Sequence, residues 1–145
     1  MVQPVEPIAS PDLDDGPVGQ VPEQPSMLSL IAHGSRGPRW RASVEELTES
    51  LRADLGPDKA RLAYMEWTPP TLTDVASDAV WAGVEKIRVL PLFLAGQGHF
   101  FRDIHPPVDQ LRKAHGSVEV TLLPPVGQHR LFLELLHKIA VEETA

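Results

Sequence analysis

Between residues 27 and 139, short apolar segments alternate four times with stretches patterned for helix. Residues 27–33 read as a buried strand. Pro38 then opens a helix in its first turn, where a missing N–H costs nothing. Trp40, Val44, Leu47, Leu51 and Leu55 recur at helical spacing until Gly56. Residues 60–67 read as a second strand. A helix start lies in Thr68, Pro69 and Pro70, with Leu72, Val75, Ala76, Ala79 and Val80 as its apolar stripe and Gly83 as its stop. Residues 86–94, "KIRVLPLFL", read as the third strand, followed by "AGQG" and His99. A third helix is expected from about Pro106 to residue 115, with Gly116 after it, and a fourth strand over residues 118–123. The last helix begins near Gln128 and places Leu131, Phe132, Leu135, Leu136 and Ile139 on its inner face.

Strands that alternate with helices at this pace pair in parallel through right-handed crossovers. The expected fold is α/β, a single lobe with a four-stranded parallel sheet and helices on both faces. A chain of 145 residues holds one such core comfortably and two with difficulty. Residues 1–25 contain six prolines and five acids with no base, so they read as a disordered acidic tail, and the domain as residues 26–145. The tail has neither the basic start and apolar centre of a signal peptide nor the arginines of a transit peptide.

Net charge is −7, of which the tail supplies five negative charges. The near-neutral remainder argues against nucleic-acid binding, which needs a strong basic excess. No apolar run is long enough to span a membrane. The absence of cysteine excludes disulfides, thiolate metal sites and cysteine nucleophiles, and it suits a reducing cytoplasm.

In parallel sheets, ligands bind just beyond the carboxyl ends of the strands. His33 ends strand one, Glu66 ends strand two, and His99 follows strand three after a glycine turn, at equal intervals of 33 residues. Taken singly, each has an ordinary structural reading: a hydrogen-bonded strand-end histidine, a helix-start carboxylate, a packed imidazole. Together on one rim they offer two nitrogens and an oxygen to a divalent ion of borderline softness, and the same groups can accept protons.

Competing motifs fail. "GQGHFF" has Phe101 where a dinucleotide fingerprint needs its third glycine, and "HGSRG" has His33 where a nucleophile elbow needs its first. No phosphate-loop lysine motif is present. Arg36, Arg39 and Arg41 follow His33, and Arg102 follows His99. Any one of them suits a solvated surface; clustered beside a metal rim, guanidinium groups suit a polycarboxylate ligand.

"LIAHGSRGPRW", "AYMEWTPPTL" and "VLPLFLAGQGHFFRDIHPPVDQL" together resemble the small class II chelatases, the sirohydrochlorin cobaltochelatase and ferrochelatase family, from Leu28 to about Ala140. The resemblance implies insertion of a divalent metal, Co2+, Fe2+ or Ni2+, into sirohydrochlorin or a related tetrapyrrole in cobalamin or siroheme biosynthesis. It assigns metal binding and catalysis to His33, Glu66 and His99. Ser35, Arg36 and Arg102 are the accompanying candidates for holding the tetrapyrrole carboxylates. The metal is a substrate, and no organic cofactor is implied. His105, in "DIHPP", stands where the family has a plain Asp-(Ile/Leu)-Pro and is a candidate extra ligand. By resemblance to the half-size members of that family, this single lobe is expected to pair as a homodimer with the cleft between subunits. Two rival readings are a metal or tetrapyrrole carrier without turnover and a metal-assisted hydrolase.

Overall fold

The computed structural model describes residues 25–34, 38–65, 69–94 and 99–144. The elements run β1 (Ser26–Ala32), α1 (Pro38–Leu55), β2 (Ala60–Tyr64), α2 (Leu72–Trp81), β3 (Lys86–Pro91), α3 (His99–Ala114), β4 (Glu119–Leu122), a 3-10 turn (Val126–Gln128) and α4 (Arg130–Thr144). All strand pairs are parallel, in the order β2-β1-β3-β4. The α/β expectation holds. The acidic tail lies outside the described residues except for Pro25, whose carbonyl accepts from the N–H groups of Glu85 and Lys86 at 2.8 and 3.1 Å.

From β1 the chain steps one way to β2 and then back across β1 to β3. Right-handed crossovers therefore put α1 on one face and α2 on the other. The main core lies on the α2 face. Met27 and Ile31 of β1, Ile87 and Val89 of β3, and Val120 of β4 pack there with Val75 and Ala79 of α2 and with Ile104, Val108 and Leu111 of α3. On the other face α1 covers the β2 side, where Arg52 donates from Nε to the carbonyl of Ala60 at 2.8 Å.

Local chemistry explains most boundaries. Thr71 caps α2 by accepting from the Asp74 N–H, and the Asp74 carboxylate accepts in return from the Thr71 N–H, each at 3.1 Å. Such a reciprocal box is worth about 1 kcal/mol. Gly56 and Gly83 end α1 and α2 with φ of +122° and +95°, a region that favours glycine.

Four expectations need correction. The third helix starts at His99, not Pro106, and carries Pro106 and Pro107 in its interior. Each interior proline costs on the order of 3 kcal/mol. The two prolines lack the N–H groups that would donate to the carbonyls of Arg102 and Asp103, both exposed residues. Buried Ile104 before the prolines and buried Val108 and Leu111 after them hold one helical register across the break. The second helix starts at Leu72 rather than at Thr68, because the Thr71–Asp74 box fixes it. On α1, Leu47 and Leu55 are exposed, whereas Thr48 is buried, its hydroxyl donating to the Val44 carbonyl at 2.8 Å. On α4, Leu131, Leu135, Leu136 and Ile139 are exposed rather than inward, because the helix packs chiefly on the turn before it and not on the sheet.

Candidate functional site

The carboxyl ends of β1, β2 and β3 form one rim. The strand ladder runs slightly past the strands: Met65 donates its N–H to Ala32 and Leu92 donates to Ile31, each at 2.9 Å. His33 follows at the end of central β1. Gly34 comes next with φ of +101°, and this left-handed residue turns the chain off the sheet. The abrupt "HG" therefore has a backbone reason: the histidine is the last residue before the turn. His33 is half-buried, with Nδ1 inside the protein.

Tyr64 closes β2 and is buried. Burial pushes its phenol pKa up, the Glu45 carboxylate adds to the rise, and the Arg41 guanidinium opposes it. These two charged groups lie on α1, which leaves the rim beside His33. Arg41 is half-buried, and its Nε is buried without a hydrogen bond.

A cavity of about 470 Å³ opens beside this rim, between the end of β2, the start of α2 and α3. Met65, Thr71, Thr73, Asp103 and Gln110 contribute to its largely polar lining. Positions 103, 107 and 110 of α3 all line it.

His33 thus lies at the rim, and the backbone of His99 opens α3 there, as the first residue of a helix rather than of a loop before one. Glu66, Ser35 and Arg36 lie outside the described residues. Arg102 is exposed, and His105 is half-buried on α3. Among the described residues, no three histidine, aspartate or glutamate side chains gather as a metal cage. The sequence reading missed Tyr64, Asp103 and Gln110. The last two had a usable signal, since 103, 107 and 110 keep helical spacing once α3 is begun at His99.

The CbiX family profile matches residues 27–143. The chain belongs to the CbiX family. A relative from Methanococcoides burtonii named sirohydrochlorin cobaltochelatase is 31% identical over 124 residues, spanning 79% of this chain and 94% of that protein. One of the same name from Sulfurisphaera tokodaii is 29% identical over 114 residues, spanning 79% and 89%. Among solved structures, a CbiX protein from Marinobacter aquaeolei superposes with a TM-score of 0.73 at 34% identity, covering 83% of this chain and 96% of that one. The sirohydrochlorin chelatase SirB from Bacillus subtilis, in complex with cobalt, superposes with a TM-score of 0.65 at 20% identity, a likeness of fold. It covers 71% of this chain but 44% of SirB, so this CbiX-family lobe corresponds to less than half of that protein.

Proposed function

We propose that this chain is a cytoplasmic chelatase that inserts Co2+ or Fe2+, with Ni2+ also chemically admissible, into sirohydrochlorin or a closely related tetrapyrrole. The observation that carries the reading is the similarity to the M. burtonii sirohydrochlorin cobaltochelatase over 94% of that protein and 79% of this chain. The half-buried His33 on the sheet rim and the polar cavity beside it support the reading.

Insertion exchanges two pyrrole protons for one divalent ion, so the site must hold a metal weakly and accept protons. His33 and His99 hold the metal substrate through neutral imidazole nitrogens, and Glu66 supplies the carboxylate. The same bases take up the protons as the metal moves to the ring. Ser35, Arg36 and Arg102 hold the peripheral carboxylates. The working unit is a homodimer with its cleft between two lobes.

The test is insertion measured metal by metal with sirohydrochlorin, followed by the absorbance of the metallated ring. Many turnovers per chain with at least one of the three ions, well above the uncatalysed rate, are expected. Stoichiometric binding without turnover would make the protein a carrier. Ester or phosphoester hydrolysis without any tetrapyrrole would make it a hydrolase.

A further inference from the structure

We propose that Met65 and Leu94, just past the ends of β2 and β3, form an apolar seat for the face of the tetrapyrrole, one on each side of His33. The inference rests on the chelatase reading and deepens it: that reading gives residues to the metal and to the peripheral carboxylates, but none to the ring between them.

The strand register sets the three residues side by side. Ala32 lies opposite Tyr64, so the next step brings His33 opposite Met65, and the Met65 N–H keeps that register by donating to the Ala32 carbonyl at 2.9 Å. On the other side Ile31 lies opposite Pro91, and the Leu92 N–H donates to the Ile31 carbonyl at 2.9 Å. Two residues further along that chain comes Leu94, about one residue beyond the level of His33. Strand β1 lies between β2 and β3. Paired strands are about 4.8 Å apart, so the two outer strands flank His33 at about 10 Å from one another. That is the scale of a four-pyrrole ring, whose centre then faces the middle strand.

Leu94 is 70% exposed. A single exposed leucine is ordinary on a protein surface, but this one is held in place by its backbone. Phe93 beside it is buried, and its carbonyl accepts the Gly127 N–H at 3.0 Å. Gly127 itself lies against the carbonyl and Cα of Leu94, with no room for a Cβ between them. The 3-10 turn thus grips the main chain of Leu94 and leaves its side chain in the open. Met65 is rooted differently. It is half-buried, packs partly on the core and also lines the polar cavity beside the rim. Its side chain is unbranched and adaptable, and a thioether makes favourable contact with a π system.

The chemistry of the ligand asks for such a pair. A tetrapyrrole of this class carries its carboxylates around the edge, while its two faces are apolar. Cationic groups at the edge fix where the ring lies in its own plane. They do not fix its height above the metal-binding imidazole or expel water from its face. Sites for flat apolar bodies do both with hydrophobic walls and leave orientation to a few polar groups. Met65 and Leu94 set the height and tilt of the ring, and His33 between them faces the nitrogens through which the metal must pass. Covering a leucine that the free protein leaves in water also adds affinity in proportion to the apolar area buried.

The test uses the full chain and metal-free sirohydrochlorin, whose binding is followed by its absorbance before any metal is added. Leu94→Ala and Met65→Ala are each expected to weaken that binding by about tenfold, the scale of losing one buried apolar side chain. The same variants should raise KM for the tetrapyrrole and leave KM for Co2+ unchanged. Leu94→Met, which conserves volume, should bind within about twofold of wild type. Because Leu94 is exposed, Leu94→Ala should keep the wild-type melting temperature, so the proposal stays testable even if Met65→Ala folds poorly. The ratio of wild-type to Leu94→Ala affinity should be the same at low and high salt, since salt screens charge and not apolar contact. Wild-type affinity in Leu94→Ala would overturn the seat. So would a loss of binding that comes with a lower sedimentation mass than wild type, which would assign Leu94 to a contact between copies. The chelatase reading fails separately: tight, Leu94-dependent binding without metallation would refute the activity and leave the seat standing.

Discussion

Gly127 lies against the backbone of Leu94, its N–H donated to Phe93 at 3.0 Å, and a Cβ on Gly127 would collide with the Leu94 carbonyl and Cα. The glycine is there for space, since its φ is not in the left-handed region. Leu94 is the last described residue before the segment that leads to His99. Gly127→Ala should therefore destabilise the fold by about 1–3 kcal/mol, as overpacking does, and should lower the insertion rate beyond the fraction unfolded. Melting temperature and initial rate measured on the same samples check this. An unchanged melting temperature would contradict the contact.

His33→Ala and His99→Ala should each lower insertion by at least about 100-fold, the scale of losing a positioned base or ligand. His33 is half-buried at a strand end and outside the main core, so its loss should cost no more than about 1 kcal/mol of stability. Glu66→Gln should lower kcat more than it raises KM for the tetrapyrrole, because it removes a charge and a proton acceptor but little shape. Steady-state rates with Co2+ decide the matter. Near-normal turnover in either histidine variant would remove that residue from the site.

Protons and metal compete for the same imidazole nitrogen. Insertion at subsaturating Co2+ should fall as the solution is acidified, and excess Co2+ should restore much of the loss. A histidine acting only as a base would give the same fall without the rescue. Initial rates across pH at low and high metal, at constant ionic strength, separate the two roles.

Tyr64 is the chain's one tyrosine, so tyrosinate absorbance reports it alone. Its pKa is raised in the folded protein, chiefly by burial. The fold therefore favours the neutral phenol more than the unfolded chain does. That contribution is present in full below the ordinary tyrosine value of about 10 and is lost as pH rises through the higher folded value. Alkaline titration should show tyrosinate appearing later in the native protein than in urea. Tyr64→Phe should show a smaller loss of melting temperature over the same range. Coincident native and denatured titrations would contradict burial of the phenol.

The existence and order of the β and α segments could be read from the sequence, because burying one face of a strand or helix imposes a short period on residues a few positions apart. Leu72, Val75, Ala76 and Ala79 state one helix face within eight residues, although the helix begins at the Thr71–Asp74 box and not at Thr68, where the pattern predicts it. The equal spacing of His33, Glu66 and His99 likewise followed from counting βα units. Packing between distant segments decided the rest. Pro106 and Pro107 read locally as a helix start, yet Ile104, Val108 and Leu111 meet the core on both sides of them and outweigh the broken hydrogen bonds. The strand order that makes β1 and β3 central, the seat of Gly127 on Leu94 and the exposure of α4 depend on which surfaces meet. The apolar pattern of α4 demanded burial, but a pattern names a face to be covered and not its cover. That is set by the direction in which an anchored turn launches the helix, which only the tertiary structure fixes.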